Sequence, residues 1–225
     1  MTLKKNLKKV WHFIWEEDSL ASWIVNIVLA FVIIKFLIYP ALGFTLGTTH
    51  PIVAVVSGSM EHKSTPICLE YESNLNPLSN CRKYSKDKFG ICGQVLENKD
   101  KYNIDEFWDI CGSWYQENNI SKEDFENFRF KNGFNKGDVI ILQSKKNVDV
   151  GDVIVFWSNY RNPIIHRVVE VNNNMYNTKG DHNSREDGFS ENESVIGKAL
   201  FRIPYLGWIK IWFVDLITIP LKIFN

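Results

Sequence analysis

The stretch PIVAVVSGSMEH, residues 51–62, follows a long apolar segment and contains two serines separated by a glycine. Side chains alternate along an extended strand, so the sequence predicts a strand with Val55, Ser57 and Ser59 on one face. Gly58, between the serines, lets another backbone approach closely. The pattern is typical of an ordinary strand that ends in a Ser/Gly turn, but it also suits a nucleophile. Partners elsewhere in the chain must decide between the two interpretations.

Length and charge limit the classes of protein to consider. The chain has 225 residues, enough for one sizeable domain with accessory segments. Its 26 basic and 26 acidic residues balance, which gives no electrostatic footprint for nucleic acid. Eight tryptophans and fifteen phenylalanines instead favour contact with a membrane interface.

The N-terminal part predicts a membrane anchor. Residues 1–19 form a basic and aromatic lead-in, and the nearly uninterrupted apolar run that follows predicts a transmembrane helix over residues 20–40. A cleaved signal peptide is the alternative, although its apolar core is usually only ~7–15 residues long. The lysines before the helix predict a cytoplasmic N-terminus, so the chain from about Pro40 onward, with Ser59 near the membrane, would lie on the outer side.

Residues 62–133 form a polar stretch that is interpreted as an insertion. It holds all four cysteines, Cys68, Cys81, Cys92 and Cys111. Because none of them forms a C-x-x-C pair, two disulfides are expected rather than a structural zinc site, with free thiols as the alternative. Ser121 and Asp124 predict a capping box that opens a short helix.

Residues 41–61 and 134–202 predict a compact β domain. The second range contains the short β-rich runs KGDVIIL, VGDVIVFW, PIIHRVVEV and SVIGKALF. The first two runs contain Gly-Asp pairs that predict turns before buried strands. The polar loop TKGDHNSREDGF, which begins at Thr178, contains more ionisable and polar side chains than a simple connection needs.

The C-terminal residues 203–225 are apolar and aromatic again. They could form a second span, a helix in the membrane interface or a buried core helix, and membrane association is the prediction. Asp215 and Pro220 count against a complete span, because a charge is costly at the bilayer centre and proline ends a helix.

A serine nucleophile needs a base, and the base is best oriented by a carboxylate. Of the five histidines, His166 lies in the alternating apolar run PIIHRVV, where a rigid strand would fix its imidazole. Such a histidine can also be an ordinary hydrogen-bonded core residue. His166 is therefore the candidate base.

SGSME, the GDVI runs, IIHRVV and TKGDHNSRED occur in that order behind an N-terminal anchor. In this order they resemble type I signal peptidases of the archaeal and endoplasmic-reticulum branch. The resemblance covers residues 52–60 and 134–208 and the anchor, but not the cysteine-bearing insertion. Where the bacterial branch has a lysine base this chain has His166, which points to the branch with a Ser-His-Asp triad.

The resemblance implies a role for each matching residue. Ser59 would be the nucleophile, His166 the general base and Asp187 the acid that orients it. Asp181 matches a position important for activity, through loop geometry or as an alternative partner of the imidazole. Ser57 would help to stabilise the oxyanion. The chain departs from the family at His62, where proline is usual, and in having Glu186-Asp187 where two aspartates are usual.

The function implied is removal of signal peptides from exported preproteins after small residues, at the outer face of a cell membrane or endoplasmic-reticulum membrane. The implied fold is mainly β, a signal-peptidase-like β domain with an anchor, an insertion and an apolar C-terminal segment. No metal or cofactor is implied, and the expected partners are signal peptides, the lipid bilayer and accessory membrane subunits, not nucleic acid. Two alternatives are a membrane-anchored β domain that binds partners without catalysis, and a self-cleaving regulatory peptidase, although neither the lysine base nor the DNA-binding region of such peptidases is visible in the sequence.

Overall fold

The chain divides into two compact units, residues 1–51 and residues 52–225. The structure is a computed structural model that describes residues 2–71, 81–158, 162–209, 211 and 212.

The first unit is helical. An amphipathic helix, α1 (Thr2–Trp15), precedes a continuous helix formed by α2 (Leu20–Ile33), a π-helical turn (Ile34–Ile38) and α3 (Tyr39–Leu46). The side chain of Ser19 caps the start of α2 by accepting a hydrogen bond from the Ser22 amide at 3.2 Å.

The long helix, Leu20–Leu46, has 27 residues and a mean hydropathy of 2.4, and among the described residues it is the one helix long and apolar enough to cross a membrane. It continues past Pro40, where the sequence predicts the anchor to end. Proline removes a helical hydrogen bond and crowds the preceding turn, and the π-helical turn just before Pro40 accommodates this. The helix ends instead at Gly47, which has the left-handed conformation with φ 66°.

The second unit is mainly β, as the sequence predicts. Its described residues form ten strands: β1 (Ile52–Ala54), β2 (Thr65–Tyr71), β3 (Cys81–Ile91), β4 (Gln94–Leu96), β5 (Val139–Gln143), β6 (Val153–Phe156), β7 (Ile164–Asn172), β8 (Met175–Lys179), β9 (Gly188–Glu191) and β10 (Val195–Ile203). Seven of them make an antiparallel sheet in the order β1-β5-β10-β6-β7-β8-β9. The four predicted β-rich runs are strands β5, β6, β7 and β10.

The large sheet is covered on both faces near its centre. In β6, Val153 and Val155 pack into one hydrophobic cluster, whereas Ile154 and Phe156 pack into another. Successive side chains of a strand point to opposite faces, so a strand buried on both faces is apolar at every position. This explains the uninterrupted run VIVF.

The strand predicted over residues 51–62 is much shorter in the structure. Only Ile52–Ala54 pairs with a neighbour, and residues 57–60 form bends and a turn. Val55 is buried while Ser57 is exposed, so they do not share a face as predicted. Val55 makes the last contacts with this segment, because its amide and carbonyl bond to the Asp138 carbonyl and the Gly137 amide in the turn before β5, each at 2.8 Å.

The insertion has its own core despite its polar composition. Strands β2, β3 and β4 form a second antiparallel sheet beside α4 (Ile104–Glu117) and α5 (Lys122–Asn127). The shared cluster is formed by Ile91, Phe107, Trp108, Cys111, Tyr115, Ile120, Phe125 and Val169. Val169 belongs to β7, so the insertion packs on the large sheet rather than standing apart from it.

Local chemistry explains the elements of the insertion. Ser121 and Asp124 form the predicted capping box of α5. Between β3 and β4, Cys92 and Gly93 both have positive φ, the conformation of a tight two-residue hairpin turn. The prediction of two disulfides is confirmed by the pairs Cys68–Cys81 and Cys92–Cys111.

At the C-terminal end, Trp208 packs against the turn at Gly137, where a Cβ would come within 2.1 Å of the indole nitrogen. Gly137 has φ 91°, which confirms the predicted turn before β5. Most of the predicted membrane-associated segment, residues 210 and 213–225, lies outside the described residues.

Candidate active site

A tight turn presents Ser59. The Glu61 amide donates to the Gly58 carbonyl at 3.0 Å, which closes the turn around Ser59 and Met60. Met60 is buried in the core, and its carbonyl accepts a hydrogen bond from the Phe134 amide at 2.9 Å. The buried Glu61 carboxylate accepts the Lys136 amide at 2.7 Å. The residues around Ser59 are thus fixed while its own side chain stays partly accessible.

The two serine hydroxyls come together although the backbone is not a strand. The Oγ atoms of Ser57 and Ser59 are 3.2 Å apart. The turn brings the side chains to the same side, so the proximity predicted from strand alternation has a different cause.

His166 and Asp187 form a direct pair. The Nδ1 atom of His166 lies 2.5 Å from Oδ2 of Asp187. The same oxygen accepts the Thr178 hydroxyl at 2.7 Å, and the Asp187 amide donates to the Thr178 carbonyl at 2.7 Å. A carboxylate only accepts hydrogen bonds, so Nδ1 bears the proton and Nε2 is left as the basic nitrogen.

Gly180 brings the histidine and the serine to one place. A Cβ at Gly180 would lie 2.8 Å from Nε2 of His166 and 2.7 Å from the carbonyl oxygen of Ser59. Both atoms therefore pack against the same backbone position, and only glycine leaves room for them. The amide of His182, two residues after Gly180, donates to the Ser59 carbonyl at 2.9 Å.

Asp181 lies in a different environment from Asp187. It is fully buried, and its carboxylate bonds to Arg167, His62 and Tyr115 at 2.7–3.1 Å. Arg167 follows His166 in β7, so its side chain points to the opposite face of the strand. The carboxylate that contacts His166 is consequently that of Asp187. Asp181 instead binds Arg167, whose side chain is on the opposite face of β7.

The charge of Asp181 is fixed by its partners. Burial alone would raise the pKa of the Asp181 carboxyl, but the positive charge of Arg167, followed by the hydrogen bonds from His62 and Arg167, outweighs burial and holds the pKa well below its ordinary range. Burial and the negative charge of Asp181 raise the pKa of the Tyr115 phenol. Asp181 is thus an ionised acceptor and Tyr115 a neutral donor at ordinary pH.

Lys179, just before Gly180, is buried as well. Its Nζ donates to the Gly180 carbonyl at 3.2 Å and lies 4.9 Å from the ring centres of Trp114 and Tyr115. Burial lowers the pKa of Lys179 to about 8, against the opposing attraction of Asp181. Protonated Lys179 therefore lowers the free energy of unfolding relative to the neutral form.

The sequence predicts the residues of this site unevenly. The structure places Ser59 and His166 against Gly180, with Ser57 beside Ser59 and Asp187 bonded to His166. It gives Asp181 separate contacts. Sequence reasoning missed Arg167, although an arginine in an apolar strand signals a buried carboxylate partner. Tyr115, separated from Asp181 by 66 positions, gave no such signal.

Replacing Lys179 by methionine tests the cost of its burial. Between pH 8 and about 10 the unfolded chain binds more protons at this lysine than the folded chain, so the free energy of unfolding of the wild type should rise with pH. We expect Lys179→Met to remove this rise, so that the difference between variant and wild type changes by up to about 3 kcal/mol from pH 7 to pH 10.

Denaturant unfolding in detergent at several pH values measures the difference, with the exposed Lys83→Met as the matched control. A difference between Lys179→Met and the wild type that is independent of pH would contradict the effect of burial on Lys179.

Comparison with known proteins identifies relatives for part of the chain. No family model matches. Over 94 residues the chain is 32% identical to the signal peptidase complex catalytic subunit SEC11 of Plasmodium falciparum (isolate 3D7), a match that covers 36% of this chain and 51% of that protein. Over 95 residues it is 30% identical to the SEC11 subunit of Saccharomyces cerevisiae (strain YJM789), covering 35% of this chain and 57% of that protein.

The chain spans about half the length of the curated relatives it matches. Both relatives have the same name, and both are similar to this chain over about a third of its length. The resemblance indicated by the ordered motifs is therefore confirmed: the chain has homologues among the type I signal peptidases of the endoplasmic-reticulum branch.

Proposed function

We propose that this chain is a membrane-bound serine endopeptidase that removes signal peptides from exported preproteins, with Ser59 as nucleophile, His166 as general base and Asp187 as the orienting acid. The observation that carries the proposal is the Asp187–His166 hydrogen bond, which leaves Nε2 of His166 next to Gly180, the residue against which the Ser59 carbonyl also packs. The similarity to catalytic subunits of signal peptidase complexes supports it.

The chemistry follows from the protonation of the pair. Nε2 of His166 removes the proton of the Ser59 hydroxyl as Oγ attacks the scissile carbonyl carbon. The imidazolium so formed is stabilised by the Asp187 carboxylate, which accepts hydrogen bonds from both His166 and Thr178. Collapse of the tetrahedral intermediate breaks the C–N bond, and His166 gives its proton to the leaving amine. Water, activated by the same imidazole, then hydrolyses the acyl-enzyme.

Ser57 is the proposed oxyanion donor. Its hydroxyl is 3.2 Å from the Ser59 hydroxyl, so it lies next to the atom that attacks the carbonyl. A donor at this distance would stabilise the negative charge that develops on the substrate oxygen. The exposure of Ser57 leaves its hydroxyl accessible to the substrate.

The preprotein would bind as an additional strand. β1 is at the edge of the large sheet, paired with β5 on one side, and it leads into the serine turn. An extended substrate that pairs with such an edge gains backbone hydrogen bonds that do not depend on sequence. Specificity for small residues before the cut would then come from shallow pockets beside Ser59.

The membrane location and the partners belong to the same proposal. The apolar helix Leu20–Leu46 would anchor the chain, with its N-terminus cytoplasmic and the β domain on the outer or lumenal side. The relatives are named as subunits of a complex, so accessory membrane subunits are proposed as partners.

Ser59→Ala is the decisive variant for the catalytic proposal. The exchange removes one oxygen and leaves the packing intact, so cleavage of a preprotein with small residues before the cut should be lost while the melting temperature changes little. Purified protein in detergent and gel analysis of preprotein and mature protein measure the loss. Wild-type turnover by this variant would reject Ser59 as nucleophile and favour the non-catalytic binding domain.

The two aspartates should fail in different ways. Asp187→Asn retains the shape but favours the wrong tautomer of His166, so turnover should fall by as much as ~10⁴ with little change in stability. Asp181→Asn leaves Arg167 buried with a neutral partner, so the domain should lose stability, by about 3–5 kcal/mol if the ion pair is fully broken.

Turnover and thermal unfolding of both variants, measured side by side, separate the two roles. A stable but inactive Asp181→Asn together with a fully active Asp187→Asn would contradict the assignment.

A further inference from the structure

The loop that begins at Gly180 and contains Asp187 is anchored to β7 by one buried ion pair, between Arg167 and Asp181. Arg167 donates from Nε and Nη2 to the two carboxylate oxygens of Asp181 at 2.9 and 2.7 Å. Arg167 also donates from Nη2 to the Phe130 carbonyl at 2.9 Å and from Nη1 to the Gly151 carbonyl at 3.1 Å. Both side chains of the pair are fully buried, so the position of Asp181 is determined by its partners.

Asp181 has two further partners, and both belong to the insertion. The Tyr115 hydroxyl, from α4, donates to Oδ1 at 3.1 Å, and Nε2 of His62 lies 2.9 Å from Oδ2. The His62 ring stacks on Phe107 of α4 with a centroid distance of 3.6 Å. The guanidinium of Arg167 lies 4.9 Å from the ring centre of Phe125, in α5. The insertion therefore covers the ion pair as well as bonding to it.

The His62 ring makes one side-chain hydrogen bond among the described residues, to Asp181. Asp181 is ionised and only accepts, so Nε2 of His62 donates the hydrogen bond that joins them. Nδ1 is buried and has no hydrogen-bond partner among the described residues. A buried nitrogen without a partner is unfavourable, and the bond to Asp181 is what offsets it.

A second connection joins the insertion to the same loop. The Cys92 amide, in the β3–β4 turn, donates to the His182 carbonyl at 2.9 Å, and Cys92 is disulfide-bonded to Cys111 of α4. The Thr65 hydroxyl is 3.1 Å from Nε2 of His182. Since the His182 amide bonds to the Ser59 carbonyl, the chain of contacts runs from the insertion through the loop to the proposed nucleophile.

We infer that the insertion is a positioning element of the peptidase, in which Tyr115 and His62 act through Asp181 to hold residues 180–182 against Ser59 and His166. The inference rests on the proposed function for its catalytic consequence, and on the contacts alone for its structural consequence. Tyr115 and His62 touch no reacting atom, so they are positioning residues.

Tyr115→Phe removes one hydroxyl and keeps the ring that packs in the insertion core. We expect turnover of a preprotein to fall by about 10- to 100-fold with KM within about twofold of wild type, because a small displacement of reacting groups affects the chemical step more than binding. In the same variant, amide hydrogen exchange in peptides that cover residues 180–184 should be about tenfold faster, while exchange in β5 and β10 stays unchanged.

Two matched variants of His62 and one control complete the experiment. His62→Phe keeps the stacking on Phe107 and loses the donor, so it should show the same turnover and exchange changes as Tyr115→Phe. His62→Gln supplies a nitrogen donor again and should recover both. Tyr84→Phe removes the hydroxyl of an exposed tyrosine in β3 and should behave as wild type in every measurement.

Each outcome decides one claim. Unchanged exchange in residues 180–184 of both Tyr115→Phe and His62→Phe would overturn the inference, whatever the activity. Faster exchange with wild-type turnover, while Ser59→Ala is inactive, would also overturn it, because the loop would be loosened without affecting catalysis. An active Ser59→Ala would instead reject the proposed function, and the exchange measurements would still decide whether the insertion holds the loop.

Discussion

The buried ion pair between Arg167 and Asp181 is the interaction on which the rest of the candidate site depends. Two charges removed from water are tolerated only when they are hydrogen-bonded, and here four donors and acceptors outside the pair bond to the two charged groups. The backbone amide of Asp181 also donates to the sulfur of Met60, the residue that follows Ser59, at 3.4 Å. Satisfying the pair therefore fixes the loop, the serine turn and the insertion together.

The alternation of β7 separates chemistry from support. His166 and Arg167 are neighbours in the chain, yet they point to opposite faces of the strand and bind different carboxylates. The two carboxylates, those of Asp181 and Asp187, both belong to the loop that begins at Gly180. A carboxylate that orients a base and a carboxylate that anchors a backbone need different surroundings. Because side chains alternate along β7, two neighbouring residues of one strand bind carboxylates on opposite faces.

Elements with a strong local signal could be predicted from the sequence, and long-range contacts could not. The apolar run VIVF and the Gly-Asp turns indicate their strands directly, and Ser121 with Asp124 indicates the start of α5. The serine stretch was predicted to be a strand because it is apolar, but its backbone bonds are taken by the turn before β5, which only the tertiary structure reveals. The aromatic residues that form the core of the insertion are widely spaced in a polar sequence, so the sequence does not indicate a core there. For the same reason it does not indicate the contact of Tyr115 with Asp181.

Covalent labelling of Ser59 can show whether His166 activates its hydroxyl. Folded protein in detergent is treated with a fluorophosphonate, which reacts with activated serine hydroxyls, and the modified residue is located by peptide mass spectrometry. We expect a single adduct on Ser59 that is absent from His166→Ala. No adduct on Ser59 in the wild type, or equal labelling of Ser59 in His166→Ala, would contradict it.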